Sequence, residues 1–205
     1  MSHSAHDNHA AQVPAGPARV PRSLLVIILL LLGGLYSYAA FVDNQSGPEK
    51  TVDNFYTAYF SKDYDTVAAN LSVFWSVRFL PDHQDKTPAQ LLADRSQIET
   101  EIATVIAEIE ADNTLPEGLS IKILQEYTKI GANSALVVYD FLENGQPTSR
   151  EAALLINEKG QFRIFNMSPL DDSMMEEVQN FAIEDLDEGF ASLLEPEASE
   201  SAPAN

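Results

Sequence analysis

The chain predicts an α+β domain, with N-terminal helices packed on an antiparallel sheet, preceded by one transmembrane helix. Three observations carry that reading. Residues 24–42 form an apolar run with no charged side chain. Residues 48–111 carry apolar side chains at the i, i+3, i+4, i+7 spacing of helices. Residues 119–167 switch to the alternation of strands, broken by short turns containing Gly.

The apolar run comes first in the chain. About 19 residues at 1.5 Å each reach roughly 28 Å, close to the ~30 Å hydrocarbon core of a bilayer. Leu24 to Leu32 are all Leu, Ile or Val; at −0.3 to −0.6 kcal/mol each they favour insertion by about 3–5 kcal/mol. Arg19 and Arg22 precede the run, whereas Asp43 and Glu49 follow it. A basic flank stays cytoplasmic, so the C-terminal part is expected outside. A cleaved signal peptide is the competing reading, with Ser37-Tyr38-Ala39 as a small-x-small site. The length of the run and of the tail before it favours the uncleaved anchor. The expected organisation is a disordered cytoplasmic tail (1–22), a transmembrane helix (23–42), an extracytoplasmic α+β domain (43–170), and an acidic helix with a frayed tail (171–205). The expected location is the cell membrane, single-pass.

Charge and composition exclude several function classes. Residues 43–205 carry 30 Asp and Glu against 10 Lys and Arg, a surface that repels nucleic-acid phosphates and anionic headgroups. No nucleic-acid partner is expected. With no Cys in the chain there is no thiol nucleophile, disulfide or lipid-modified Cys. No phosphate-cradling Gly loop or HExxH appears, and no cofactor or metal is implied. His3, His6 and His9 recur every three residues on the first tail, which reads as composition rather than as a metal site.

The first helix is predicted over 48–61, where Val52, Phe55, Tyr56, Tyr59 and Phe60 share one face and Pro48 suits the opening turn. A second short helix covers 64–71. Residues 72–86 read as either a strand or a packed loop ended by Pro81. Thr87 and Gln90 form a capping box with Pro88 at the first helical position, opening a third helix that runs to Ala111. Four strands follow, at Leu119–Tyr127, Ala132–Phe141, Glu151–Asn157 and Gln161–Met167. Asn144-Gly145 lies in the loop between the second and third strands and favours positive φ, and Glu158-Lys159-Gly160 is a tight turn; strands joined by such short connections pair antiparallel.

Residues 172–194 predict an acidic helix with Ser173 and Glu176 as a second capping box. Val178, Phe181, Ala182, Leu186, Phe190 and Leu193 make its apolar stripe. The stripe reads either as packing on the helix's own domain or as docking on a partner's groove. Glu184, Asp185, Asp187 and Glu188 read as its solvated face.

The stretch Glu49-Lys50-Thr51-Val52-Asp53-Asn54-Phe55-Tyr56, followed by Lys62-Asp63-Tyr64-Asp65 and Leu71-Ser72, resembles the opening of bacterial extracytoplasmic members of the nuclear transport factor 2-like superfamily. Glu158-Lys159-Gly160-Gln161-Phe162-Arg163-Ile164 is similar to the family's final hairpin, with Phe162 where Trp is commoner. The resemblance covers residues 48–168. It implies a sheet curved around a long helix to enclose a cone-shaped pocket. Some members are isomerases, cyclases or dehydratases, and many bind proteins or small ligands without chemistry. A tail, one span and an outward domain also resemble assembly subunits of type IV secretion systems.

Pocket chemistry in such a cone needs a carboxylate or His as base and a donor such as Tyr. Candidate pocket residues are Tyr56, Tyr59, Trp75, Tyr139, Asp140 and His83. Tyr139 and Asp140 are adjacent on a strand, so they point to opposite faces and cannot share one pocket. His83 reads as an exposed loop residue, Asp53 as solvated, and Arg163 as a surface strand residue or a carboxylate's partner. Tyr56, Tyr59 and Trp75 read first as core. The expected function is a membrane-anchored extracytoplasmic module that binds a protein partner or a small ligand without catalysis. The alternatives are an anchored isomerase- or cyclase-like enzyme for a small apolar substrate and a secretion-type assembly subunit.

Overall fold

The computed structural model describes residues 47–195. The expected cytoplasmic tail at 1–22, the predicted span at 23–42 and the residues beyond Glu195 lie outside the described residues. Among those described, no helix is long and apolar enough to cross a membrane.

The domain is α+β, with helices preceding an antiparallel sheet. Helix α1 spans Gly47–Phe60, α2 Tyr64–Asn70, α3 Val73–Ser76, α4 Pro88–Ala93 and α5 Arg95–Ile109. Strands β1 Leu119–Ile123, β2 Lys129–Ile130, β3 Ser134–Glu143, β4 Gln146–Glu158 and β5 Gln161–Leu170 follow, then α6 Met175–Asn180 and α7 Ile183–Leu194. The sheet order is β1-β3-β4-β5, with β2 sharing the β3 edge with β1.

Local chemistry sets the boundaries. Asp63 caps α2 by accepting from the Thr66 N–H. The capping box at Thr87 forms as predicted. The predicted third helix is nonetheless two, because Asp94 leaves helical geometry while its carboxylate takes a 2.7 Å bond from Lys86 Nζ. Residues 72–86 are neither strand nor simple loop. Ser72 caps the single turn α3, and tight three-residue turns follow at Val77–Phe79 and Pro81–His83.

The strands outrun their predicted ends because both hairpins close on two residues. Asn144 and Gly145 have φ of 51° and 78°, and Lys159 and Gly160 have 54° and 87°. Positive φ at both central positions matches the right-handed twist of the strands, so pairing continues into the turn. The first predicted strand is shorter than expected, since Gln125–Tyr127 coils into a turn before β2.

Register sorts the sheet into two faces. One face carries the rows Ala135–Leu155–Ile164, Val137–Ala153–Met167 and Tyr139–Glu151. It packs against Val52, Phe55, Tyr56, Val67 and Leu71 of the first helices. The opposite face carries Leu136–Leu154–Asn166 and Val138–Ala152–Ser168. Leu124, Met175 and Val178 pack there. A second cluster, Ala68, Val73, Leu80, Leu91, Ile98 and Ile102, joins the helices to one another.

The acidic C-terminal segment packs on its own domain. It is two helices rather than one, with Phe181 extended between them. Its predicted capping box does not form; Asp171 instead accepts from the N–H groups of Ser173 and Met174. Asp187 is not on a solvated face. It accepts from Ala132 N–H at 2.6 Å, Asn133 N–H at 3.0 Å and the Ser134 hydroxyl. Register shifts between Leu154 and Leu155, leaving Phe165 as an extra residue in β5. Its ring meets Phe190 of α7 at 4.9 Å between centroids.

Candidate functional site

The helical period of α1 places Phe55, Tyr56, Tyr59 and Phe60 side by side, and strand alternation sends Tyr139 and Phe141 up to meet them. Tyr56 lies 5.2 Å from Tyr139 and 4.9 Å from Phe141, centroid to centroid. These tilted and edge-on contacts fill the space between helix and sheet. Tyr139 is fully buried and Tyr56 is nearly so.

Burial of two phenols requires partners for both hydroxyls. The Tyr139 hydroxyl donates to Glu151 Oε2 at 3.0 Å, and the Tyr56 hydroxyl is 2.7 Å from that of Tyr139. One consistent chain therefore runs from Tyr56 through Tyr139 to the half-buried carboxylate. Burial pushes both phenols well above the ordinary tyrosine range, and the nearby Glu151 charge adds to the shift. Both remain protonated near neutral pH, so they serve as donors and not as bases.

Beside this cluster the helices leave an apolar recess of about 190 Å³. Tyr59 and Trp75 line it together with Phe55, Leu71, Ile102 and Ile106. Phe55 and Tyr59 lie parallel, and Trp75 leans on Phe79 at 4.8 Å. At the rim, Phe79 is 46% exposed and Ile109 65% exposed, unusual for residues of this size. Glu110 is the one charged lining residue. The Tyr59 phenol is pushed up to about 12, first by burial and then by the neighbouring Glu110 carboxylate.

The structure thus joins Tyr56 to Tyr139, and Tyr59 to Trp75. Asp140 stands apart on the other sheet face, as alternation requires. Arg150 Nε donates to it at 2.7 Å. The exposed-loop reading of His83 is overturned, because the ring is only 1% exposed. The turn opened by Pro81 folds it toward α5, where Nε2 meets Glu101 at 2.8 Å and Nδ1 meets Lys86 Nζ at 3.0 Å. With an ammonium on Nδ1, the proton sits on Nε2 and the ring donates to Glu101. Arg163 is half-buried and donates to the Ala69 carbonyl and the Gln161 side chain rather than to a carboxylate. Asp53 is half-buried rather than solvated.

Two further carboxylates matter that the sequence reading passed over. Glu151 was legible as an acid in phase with the apolar Ala153 and Leu155, directly across from Tyr139. Glu158 ends β4 beneath the helices, accepting from the Ser72 hydroxyl at 2.6 Å, the Val73 N–H at 3.1 Å and Arg95. Burial raises its carboxyl above the ordinary range, against the opposing pull of Arg95 and Ser72. Among the described residues, no three His, Asp or Glu converge as a metal site. Comparison with family models, with curated proteins and with solved structures returns no match for the chain.

Proposed function

We propose that this chain is a single-pass, membrane-anchored binding module whose domain lies outside the cytoplasm and acts without catalysis. The domain is read as nuclear transport factor 2-like, its sheet curved around the helices as a cone. Support comes from the order of elements, helices and then an antiparallel meander, and from the two-residue turn that leads into Phe162. The span at 23–42 would hold the domain at the bilayer and raise its effective concentration near a partner.

One observation carries the non-catalytic reading: the space between helices and sheet is occupied. Tyr56, Tyr139, Phe60 and Phe141 fill its centre, and the two tyrosine hydroxyls are committed to each other and to Glu151. Beside these rings lies the apolar recess at Tyr59 and Trp75, with Glu110 as its one carboxylate. Such a recess offers buried apolar area but no free acid–base pair. Its occupant is a small apolar ligand or the apolar side chain of a protein partner.

Trp75 is the single tryptophan of the chain, so its emission reports on this recess. Full-length protein in nanodiscs, titrated with 1-hexanol, is expected to show a saturable emission change that Val105→Phe abolishes by filling the recess. A response without saturation, or one unchanged in Val105→Phe, removes the recess as the site. Turnover of a small apolar substrate that disappears in Glu151→Gln, Asp140→Asn or His83→Ala would put the anchored enzyme in its place. Protease added to intact spheroplasts is expected to cut within residues 43–205, and protection of that region refutes the orientation.

A further inference from the structure

The second sheet face holds a larger opening, separate from the recess among the helices. Strand residues between 136 and 170 form its floor and the segment carrying α6 and α7 its other wall or roof, leaving a cleft of about 370 Å³ open to solvent. The floor is apolar at Leu136, Ala152 and Leu154 and polar at Asn166 and Ser168. The roof presents Met174, Val178, Phe181 and Leu186.

The roof is fastened away from the opening by polar clasps. Lys129 Nζ donates to the carbonyls of Gln179 and Phe181, where α6 gives way to α7. Asp187 gathers Ala132, Asn133 and Ser134, and Phe190 packs on Phe165. Gly131 permits that approach, because a Cβ there would collide with the Asp187 carboxylate. The helix pair is thereby held over the sheet while the space beneath it stays unfilled. Ala152 deepens that space, since a larger residue at this central position would close it.

The lining chemistry selects the occupant. Its one charged residue is Glu177, and it includes no Lys or Arg. Two neighbouring cations are already engaged, Arg150 by Asp140 and Lys129 by the two carbonyls. Asn166 and Ser168 lie on the same strand, so their polar groups sit together at the β5 side of the floor. At about 30 Å³ per water-sized group, the opening holds roughly a dozen heavy atoms. We propose that the cleft between the second sheet face and the C-terminal helix pair binds a small cationic amphiphile. Its alkyl chain lies on Leu136, Ala152 and Leu154, and its amine is placed among Asn166, Ser168 and Glu177. An anionic amphiphile of the same length is disfavoured, because its carboxylate would meet Glu177 in a lining that holds no Lys or Arg.

The test uses full-length protein in nanodiscs, with octylamine, 1-octanol and octanoate as probes and hydrogen exchange as the readout. Octylamine is expected to slow exchange in residues 174–186 and to bind roughly fivefold more tightly than octanoate, the size of one exposed ion pair. Ala152→Leu fills the floor and is expected to abolish protection by every probe. Ser168→Leu fills the more exposed edge and does the same should Ala152→Leu fail to fold. Glu177→Gln is expected to bring octylamine down to the level of 1-octanol. Equal protection by octanoate and octylamine overturns the proposed head group. Protection that survives the filling variants, or none with any probe, overturns the site. Any Trp75 emission response is expected to be the same in Ala152→Leu as in the unaltered chain, which separates this cleft from the recess among the helices.

Discussion

Leu154 and Leu155 are neighbours in β4, yet they face opposite sides of one sheet built to different standards. Leu155 is sealed against helices, in the same row as Ala135 and Ile164. Leu154 floors an opening that the C-terminal helices roof without filling. Between α1 and the sheet the helical side is filled by aromatic rings, and the buried Tyr139 hydroxyl and Glu158 carboxylate are both paired. The other side is closed by clasps at the edges, with small and flexible residues between. Dense packing is how a domain keeps its shape; a roofed, half-empty face is where a domain of this size can receive a molecule without losing stability.

The sharpest break in that contrast is expected at Arg95. Replacing it with Met strands Glu158 in the core without its cation, and removing one partner of a buried pair costs about 3–5 kcal/mol. Urea denaturation at neutral pH measures the loss. No comparable loss is expected for Arg150→Met, whose partner Asp140 lies on the looser face.

Leu155→Ala is expected to cost about 2–5 kcal/mol, because the helices around it cannot collapse into the gap. Leu154→Ala, one residue away, is expected to cost about 1 kcal/mol, since only part of its side chain leaves solvent on folding. Equal losses in chemical denaturation would erase the difference between the two faces.

Tyr139→Phe removes the donor that serves Glu151 and the acceptor that serves Tyr56. A loss of about 1–3 kcal/mol is expected, although the ring stays in place. Tyr56→Phe leaves the Tyr139–Glu151 bond intact and is expected to cost less. Thermal melts of the pair and of the double variant test whether the two hydroxyls act as one chain.

The smallest effect concerns the clasp. Burial alone would raise the Asp187 carboxyl, but the Ser134 hydroxyl and the backbone N–H groups of the 131–134 turn outweigh it and lower it below the usual range. A depressed carboxyl stabilises the folded state above its unfolded value near pH 4, and that contribution is lost as pH falls through the folded value. Protection of residues 183–194, taken relative to the intrinsic exchange rate at each pH, is therefore expected to fall on acidification below about pH 4. Asp187→Asn is expected to show faster exchange already at neutral pH and to lose that dependence.

Much of the architecture was legible in the chain because local rules wrote it. The apolar face of α1, the Thr87 capping box and the two turns with paired positive φ appear where residue spacing put them. The separation of Tyr139 from Asp140 followed from alternation alone. Errors cluster where a distant partner decides. His83 looked exposed because its neighbours are polar; Glu101, 2.8 Å away in space but 18 residues off in sequence, joins Lys86 in satisfying the buried ring. Asp187 looked solvated because it sits in an acidic run, until the 131–134 turn supplies it with donors. The break at Asp94 depends on a lysine eight residues upstream.

By itself, then, the amino-acid sequence determined the class of the domain, its helical faces, its turns and its surplus of acid, because these depend on periodicity and composition within a few residues. Which carboxylates are buried, which aromatic rings seal the interior, and where space remains beneath the C-terminal helices were decided only on folding. Those properties belong to pairs of residues far apart in the chain, and burial acts on a charge or a void only after both sides have met.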